Sequence, residues 1–557
     1  MQIISEQIVQ AVDTLYDQKV EVVLTRPDPQ FGDFATNVAL QISKKLNKNP
    51  REVADAIVQD ITAQEDSVIA GASVAGPGFI NITIENNFLL QNLSTATLLP
   101  QTYKDKVVVA EYSDPNPFKV LHAGHLYTSV VGDAIANLLD CTGAAVHRVN
   151  FGGDVGLHVG KTLYRVLKRL GGENVQKLQE IAASSRSEWL AECYVEGTND
   201  YEDDEEAKIE ITKLNKRVYE LHAQNDHDSP FAQIYWTTRQ WSYDYFDAFY
   251  DRIGTKFEKY YPESSVAELG LKTVKEHIQK GIFEQSEGAV VFKGEPYGLH
   301  TRVFINKEGL PTYEAKDVGL IMTKKQEYDF DMSVVITGNE QLQYMAVVLK
   351  AVEQFAPELT EATSHLTHGM VKLKGNVKMS SRKGNILRAT DILDIASAAN
   401  KQATGKDDSH TILGAVKYAF LKVRTGGDIV YDPEESVALE GNSGPYIQYA
   451  HARARSILDK SAIKDLVLPT DLQPDERALV SKITEYTSVI ERATHELSPH
   501  SICTYLYELA QQFNRFYEGN RVIADPRESQ RIYLVAKYAE VLKSGLGILG
   551  IHAPESM

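Results

Sequence analysis

Between Lys106 and Leu139 the chain passes from an uninterrupted apolar run, Val107-Val108-Val109-Ala110, through a polar stretch, into a helical pattern from Gly124 to Leu139. A strand without polar alternation must be covered on both faces, the condition of a parallel sheet flanked by helices. The pattern returns at Ala145 to Phe151, which runs into Gly152-Gly153-Asp154. Further apolar runs stand at Val290-Val291-Phe292, Val303-Phe304-Ile305 and Val334-Val335-Ile336. This alternation predicts an α/β architecture, a Rossmann-like doubly wound parallel sheet with these runs among its strands.

The flanks differ in style. Residues 1–104 mix helical patterns (Phe34 to Leu46, then Pro50 opening Arg51 to Ile61) with the alternating segment Phe79 to Ile84, as in a small N-terminal α+β domain. From about Glu435 strand runs fade, and the amphipathic stretches Tyr446 to Leu458, Glu476 to Leu497 and Gln530 to Leu546 predict a C-terminal α-helical bundle. The expected division is 1–104, 105–434 and 435–557, in keeping with roughly 100 to 200 residues per domain.

Composition removes other classes. Three cysteines, Cys141, Cys193 and Cys503, are too scattered for a zinc cluster, and no metal site is expected. The start, MQIISEQIVQAVD, lacks the basic and apolar blocks of a secretion signal, and no run of about 18 apolar residues suggests a membrane span. A cytoplasmic protein without membrane contact is expected. The net charge is 58 − 76 = −18, which argues against undirected nucleic-acid binding but allows a local basic face. The acidic block Asp200 to Glu206 reads as a solvated helix edge.

Two constellations carry chemistry. In the first, Glu111 to His125, a strand end runs through a loop into a helix start, where α/β proteins bind ligands. His122 and His125 stand three apart, on one face of the helix start and beside N–H groups that attract phosphate. A glycine between them, Gly124, allows close approach of a base or ribose. Composition alone produces such an HxGH about 0.03 times per chain. The second, Lys378-Met379-Ser380-Ser381-Arg382-Lys383-Gly384-Asn385, is a basic loop ahead of a helix beginning near Thr390. Its cations suit charge building on a triphosphate.

Together HAGH and KMSS resemble the two signatures of class I aminoacyl-tRNA synthetases, and the details are similar to the arginyl-tRNA synthetases. The resemblance extends through Ser113 to Lys119, Val149 to Gly156, Pro311 to Asp317 and the KMSSRKGN run. It reaches both ends, in Gly32 to Asn37, Gly76 to Asn81 and Pro445 to Arg453, and so spans nearly the whole chain.

The resemblance implies ATP-dependent activation of L-arginine, with Mg2+, and transfer to the 3′ end of tRNA(Arg), tRNA being needed before activation proceeds. It implies that Glu111, Asn116, Tyr313, Asp317 and Gln341 surround arginine, carboxylates matching the guanidinium. It assigns ATP to Ser113, His122, Gly124, His125, Lys378, Met379, Ser380 and Ser381. Phe79 and Asn81 are expected at the tRNA elbow, and Tyr446, Tyr449, Arg453 and Met557 at the anticodon; a monomer is expected.

Three positions depart from the family. Ser381 replaces the second signature lysine, and Lys119 and Lys383 are rival substitutes. Gly153-Asp154-Val155-Gly156 lacks the usual tryptophan and Leu157-His158-Val159-Gly160 the usual glutamine and phenylalanine, which implies a different shape near the adenosine. Ser556 stands where arginine is common. Rival readings are a shorter nucleotidyltransferase, which would lack the tRNA-binding ends, the cysteine enzyme, which would need zinc, and a non-catalytic tRNA-binding relative, against which His122, His125 and Lys378 speak.

Overall fold

In the computed structural model, which describes residues 2–64, 67–375, 387–463 and 465–557, the apolar run Val107–Glu111 is the central strand, β1, of a five-stranded sheet. The others are β2 (Ala145–Gly152), β3 (Lys259–Pro262), β4 (Met332–Gly338) and β5 (Thr363–His368). All pairings are parallel, in the order β3-β2-β1-β4-β5. The chain builds outward from β1 on one side and then returns to the other. The strand order therefore reverses between β1 and β4 and opens a crevice at their carboxyl ends, the usual ligand position of such sheets.

Two expected strands lie elsewhere. Ala289–Phe292 and Arg302–Ile305 join Glu284–Ser286 in a separate antiparallel three-stranded sheet. Its first two strands are linked only by Glu287 and Gly288, both at positive φ. A two-residue link makes a hairpin, whereas a parallel crossover needs a dozen residues or more. In the N-terminal part, Phe34–Thr36 is a strand paired with Phe79–Ile84, and the helix begins only at Val38. The Glu476 to Leu497 stretch is two helices, Pro474–Thr484 and Tyr486–Glu496.

Five helices between Leu157 and Ile253 form an insertion between β2 and β3 with its own apolar core, which includes Phe118, Leu163 and Ile234. The acidic block spans the end of one of them and the start of the next. Asp200 pairs with Arg165, and Asp204 caps the following helix by accepting from the N–H groups of Glu206 and Ala207. Carboxylates at that helix start also meet a favourable dipole.

The helix Ala123–Cys141 packs on β1, β2 and β4 and on helices of the C-terminal bundle. Midway along it Tyr112 donates to Asp133 (3.3 Å), and Lys417 beside Asp133 donates to the Gly550 carbonyl (2.8 Å). The chain end continues along Gly444–Lys460, where Gln448 and His451 donate to the carbonyls of His552 and Pro554. No helix among the described residues is long and apolar enough to cross a membrane.

Glu263–Ile278 and Tyr313–Tyr328 cross at reciprocal glycines. A Cβ on Gly270 would fall 1.9 Å from the Ala315 carbonyl oxygen, and one on Gly319 2.2 Å from that of Val266. Backbone contact this close leaves no room for a methyl group. Gly270→Ala is expected to cost about 2 kcal/mol by overpacking. It should also weaken any ligand held by Tyr313 and Asp317, which ride on the displaced helix. Thermal unfolding and ligand titration of this variant check both effects.

Candidate active site

The loop leaving β1 holds three non-glycine residues at positive φ: Ser113 (75°), Asp114 (48°) and Phe118 (69°). Such conformations persist only when their surroundings fix them. Here the Asp114 and Asn116 side chains accept the N–H groups of Phe151 (2.8 Å) and Gly153 (2.7 Å), which staples the loop to the end of β2. The Phe118 N–H donates to Ser242 (2.9 Å), and Ser113 hydrogen-bonds Tyr250 (2.8 Å) and Ser129 (2.9 Å). His158 donates from Nε2 to the Gly153 carbonyl at 2.7 Å, and burial lowers its pKa to about 3, so the ring is neutral.

The staple delivers the chain into Ala123–Cys141, which His122 caps. Nδ1 of His122 accepts from the Gly124 N–H (3.1 Å), and Nδ1 of His125 accepts from the His122 N–H (3.0 Å). An imidazole nitrogen that accepts carries no proton, so each neutral ring carries its hydrogen on Nε2. Loss of solvation lowers both pKa values, His125's well below the ordinary range. Lys119 and His368 add to the effect, and Glu340 opposes it at His122. Two neutral Nε2–H donors, with ring centres 3.8 Å apart, thus stand at a helix start. At Gly124, a Cβ would meet the His122 ring at 2.8 Å, so within the protein this glycine makes room for the cap itself.

These groups line a cavity of about 490 Å³ at the strand reversal, together with Glu111, Ser113, Asn116, Tyr313, Asp317 and Gln341. Among the described residues six of its lining side chains are carboxylates (Glu111, Asp114, Glu263, Glu314, Asp317 and Glu340) and one, Arg302, is a permanent cation. Three are already partnered: Glu111 with Lys324 (2.5 Å), Glu263 with Lys316 (2.5 Å) and Glu314 with Arg302 (3.1 Å). Asp317 accepts a hydrogen bond from Tyr344, and among the described residues no lysine or arginine forms a salt bridge with it. Burial raises its carboxyl to about 8, with Glu111 and Glu263 adding to the rise and the Tyr344 bond and Lys324 opposing it. A group this displaced, in a crevice of this charge, marks a site for a cationic ligand.

Sequence alone missed Tyr344, Glu263, Arg302 and His368, all of which line the cavity. Lys119 lies over the Tyr194 ring at 4.9 Å, and its charge acts on His122, His125 and Glu263. Lys378, Met379, Ser380, Ser381 and Lys383 fall outside the described residues. The segment beyond them is tied to the histidines, since the Ala123 N–H donates to Leu387 (2.8 Å) and the Ala389 N–H to Leu121 (3.0 Å). The remaining candidates lie on other parts of the molecule. Phe79 is exposed, while Asn81 in the same strand is buried. Tyr446, Tyr449 and Arg453 sit on one face of Gly444–Lys460. Asn514 donates to the Tyr446 hydroxyl (2.9 Å), and Arg453 stacks on Tyr517. Tyr449 and Met557 are exposed.

The family described as tRNA synthetases class I (R), catalytic domain, matches residues 88–421. The arginyl tRNA synthetase N-terminal domain matches residues 2–84, and the DALR anticodon-binding domain residues 447–557. The chain is similar to the arginine–tRNA ligase of Phocaeicola vulgatus, with 28% identity covering 100% of this chain and 99% of that one. It is equally similar to that of Bacteroides thetaiotaomicron, at 28% over 99% and 98%. Among solved structures, Thermus thermophilus arginyl-tRNA synthetase superposes with a TM-score of 0.80 at 23% identity, over 100% of both chains. The Plasmodium falciparum one superposes with 0.80 at 20%, over 100% and 99%.

The raised Asp317 carboxyl gives a signed expectation. Below about pH 8 the free protein holds this proton, and a guanidinium ligand must displace it. Affinity for a guanidinium compound is therefore expected to fall as the pH drops from 8.5 to 6.5, approaching tenfold per unit, with proton release on binding. Calorimetric titration in buffers of different ionisation enthalpy reads both quantities. A flat profile would remove Asp317 from the contact.

Proposed function

The chain belongs to the class I arginyl-tRNA synthetases, and from that premise we propose how its residues join arginine to tRNA with ATP. Asp317 and Tyr344 take the guanidinium, with Glu111, Tyr313 and Gln341 around it and Asn116 beside the α-amino end. What supports this is a single cavity lined both by the buried Asp317 carboxyl, which has no ion-pair partner among the described residues, and by two neutral Nε2–H donors. The arginine carboxylate attacks the α-phosphorus of ATP in line, and pyrophosphate leaves. No side-chain nucleophile is needed.

His122 and His125 donate to phosphate oxygens as charge builds, and their position is set before ATP arrives, so no reorganisation is needed in the transition state. Ser113, Gly124, Lys378, Met379, Ser380 and Ser381 complete the ATP site. For the missing second lysine we propose Lys119 rather than Lys383, because the charge of Lys119 already acts on both histidines. Among the described residues no group of three His, Cys, Asp or Glu side chains could hold a metal. This donor set suits Mg2+ arriving on the ATP phosphates rather than in a protein cage. The chemistry that Mg2+ supplies there is charge neutralisation.

The units 1–104, 105–434 and 435–557 divide the work into elbow binding, activation and anticodon binding. Phe79 stacks on an elbow base, with Asn81 alongside it in the strand, and Tyr446, Tyr449, Arg453 and Met557 meet the anticodon. A cytoplasmic monomer is the proposed working unit.

ATP–pyrophosphate exchange with arginine, lysine, citrulline and cysteine, each with and without tRNA, tests the reading. Exchange with arginine alone, and only with tRNA, is expected. Silence with every amino acid from folded, tRNA-binding protein would favour a non-catalytic role. His125→Ala should lower exchange at least about 100-fold, as loss of a preorganised donor does. Loss of its capping bond should cost about 1 kcal/mol of stability. Lys119→Ala should likewise depress exchange far more than Lys383→Ala. The reverse order would transfer the role to Lys383.

A further inference from the structure

The Gly32-Asp33-Phe34 segment has no part in the chemistry above, yet it carries a buried carboxylate at a domain boundary. Asp33 is 4% exposed at its side chain and faces Arg477, on the helix Pro474–Thr484 of the C-terminal bundle. The guanidinium grips both carboxylate oxygens, Nη1 to Oδ1 at 3.1 Å and Nη2 to Oδ2 at 2.7 Å. Nη2 also donates to the Ile84 carbonyl (2.9 Å) and Nε to Asn86 (2.9 Å), so one side chain makes four hydrogen bonds across the boundary.

Both ends of this grip are fixed. On the N-terminal side, Asp33 also accepts the Ile84 N–H (2.8 Å), and its own N–H donates to Ile82 (2.8 Å). Gly32, at φ 117°, permits this approach, since a Cβ there would stand 2.7 Å from the Ile82 oxygen. On the other side, the neighbouring Glu476 is fully buried and accepts from Arg527 (2.6 Å) and Arg531 (3.0 Å). One helix position points into the bundle and the next out of it. Nearby, Arg26 meets Glu485 (3.4 Å), and Thr487 donates to Ala96 (3.4 Å).

We infer that Asp33 and Arg477 are positioning residues for tRNA: they form a clamp that holds the N-terminal domain at a fixed angle on the anticodon-binding bundle, so that the two bind one tRNA as a single rigid surface. This rests on the proposed elbow role of Phe79. That residue lies five positions from Ile84 along the same strand, roughly 17 Å at the strand rise. A planar fork on a carboxylate fixes direction as well as distance, which a point charge does not. Two surfaces held in register bind a long rigid ligand without the ordering cost of a loose joint.

The test uses the full chain in steady-state aminoacylation. Arg477→Met is expected to raise KM for tRNA about tenfold, with kcat within twofold and KM for arginine and ATP unchanged. Arg477→Lys, which keeps stem and charge but loses the fork, should fall between and serves as the variant least disturbing to folding. Both are then assayed with a tRNA(Arg) transcript whose D-loop elbow bases are abasic. The altered tRNA should cost wild type much of the same factor and cost Arg477→Met nothing further. Additive losses, or an unchanged KM in Arg477→Met, would overturn the clamp. A wild-type enzyme indifferent to the altered elbow would instead overturn the elbow role of the N-terminal domain, and the clamp's function with it.

Discussion

The acceptance of two backbone N–H groups by Asp114 and Asn116 is the constraint on which the site depends. It holds a buried loop with three left-handed residues against the end of β2. Without it the loop would relax toward ordinary φ values, and the helix at Ala123 would lose its starting direction. Both histidines, the tie to Leu387 and the mouth of the crevice inherit their positions from that staple. The sheet provides the crevice, and the staple decides what faces into it.

Charge is handled differently at the two ends of that crevice. Around Asp317, lysines 316 and 324 are buried and neutralise Glu263 and Glu111, so part of the acid there is already balanced. Buried pairs of this kind are costly to break and add little net stability. They leave Asp317, like Asp114 and Glu340, without an ion pair among the described residues. Around His122 and His125 the rings are neutral, and the positive character comes from N–H dipoles and the charge of Lys119. A ligand with a cation at one end and an anion at the other is oriented by this asymmetry before any specific contact forms.

How much of this was legible in the chain follows from sequence distance. The helix start at HAGH is readable because it follows an apolar run within a few residues, whereas Asp317 enters only through the family resemblance. Glu111, which lines the cavity, is named by the resemblance, but its partner Lys324, 213 positions away, is not. Lys316, Leu320 and Lys324 form one buried stripe on their helix, and a lysine on an apolar stripe was the available signal. The strand Phe34–Thr36 and the antiparallel sheet were misread because short apolar runs fit helix, parallel strand and hairpin alike. For the latter, the link Glu287-Gly288 was the decisive clue.

The mutual cap of His122 and His125 has a consequence for how such a protein changes over generations. Each ring orients the backbone that presents the other, so losing one also loosens its neighbour. A second loss then costs less than the first, and restoring either alone recovers little. The two positions are therefore expected to act as one unit, intact or altered together. A change at either position is thus felt at the other, although they are different residues on the chain.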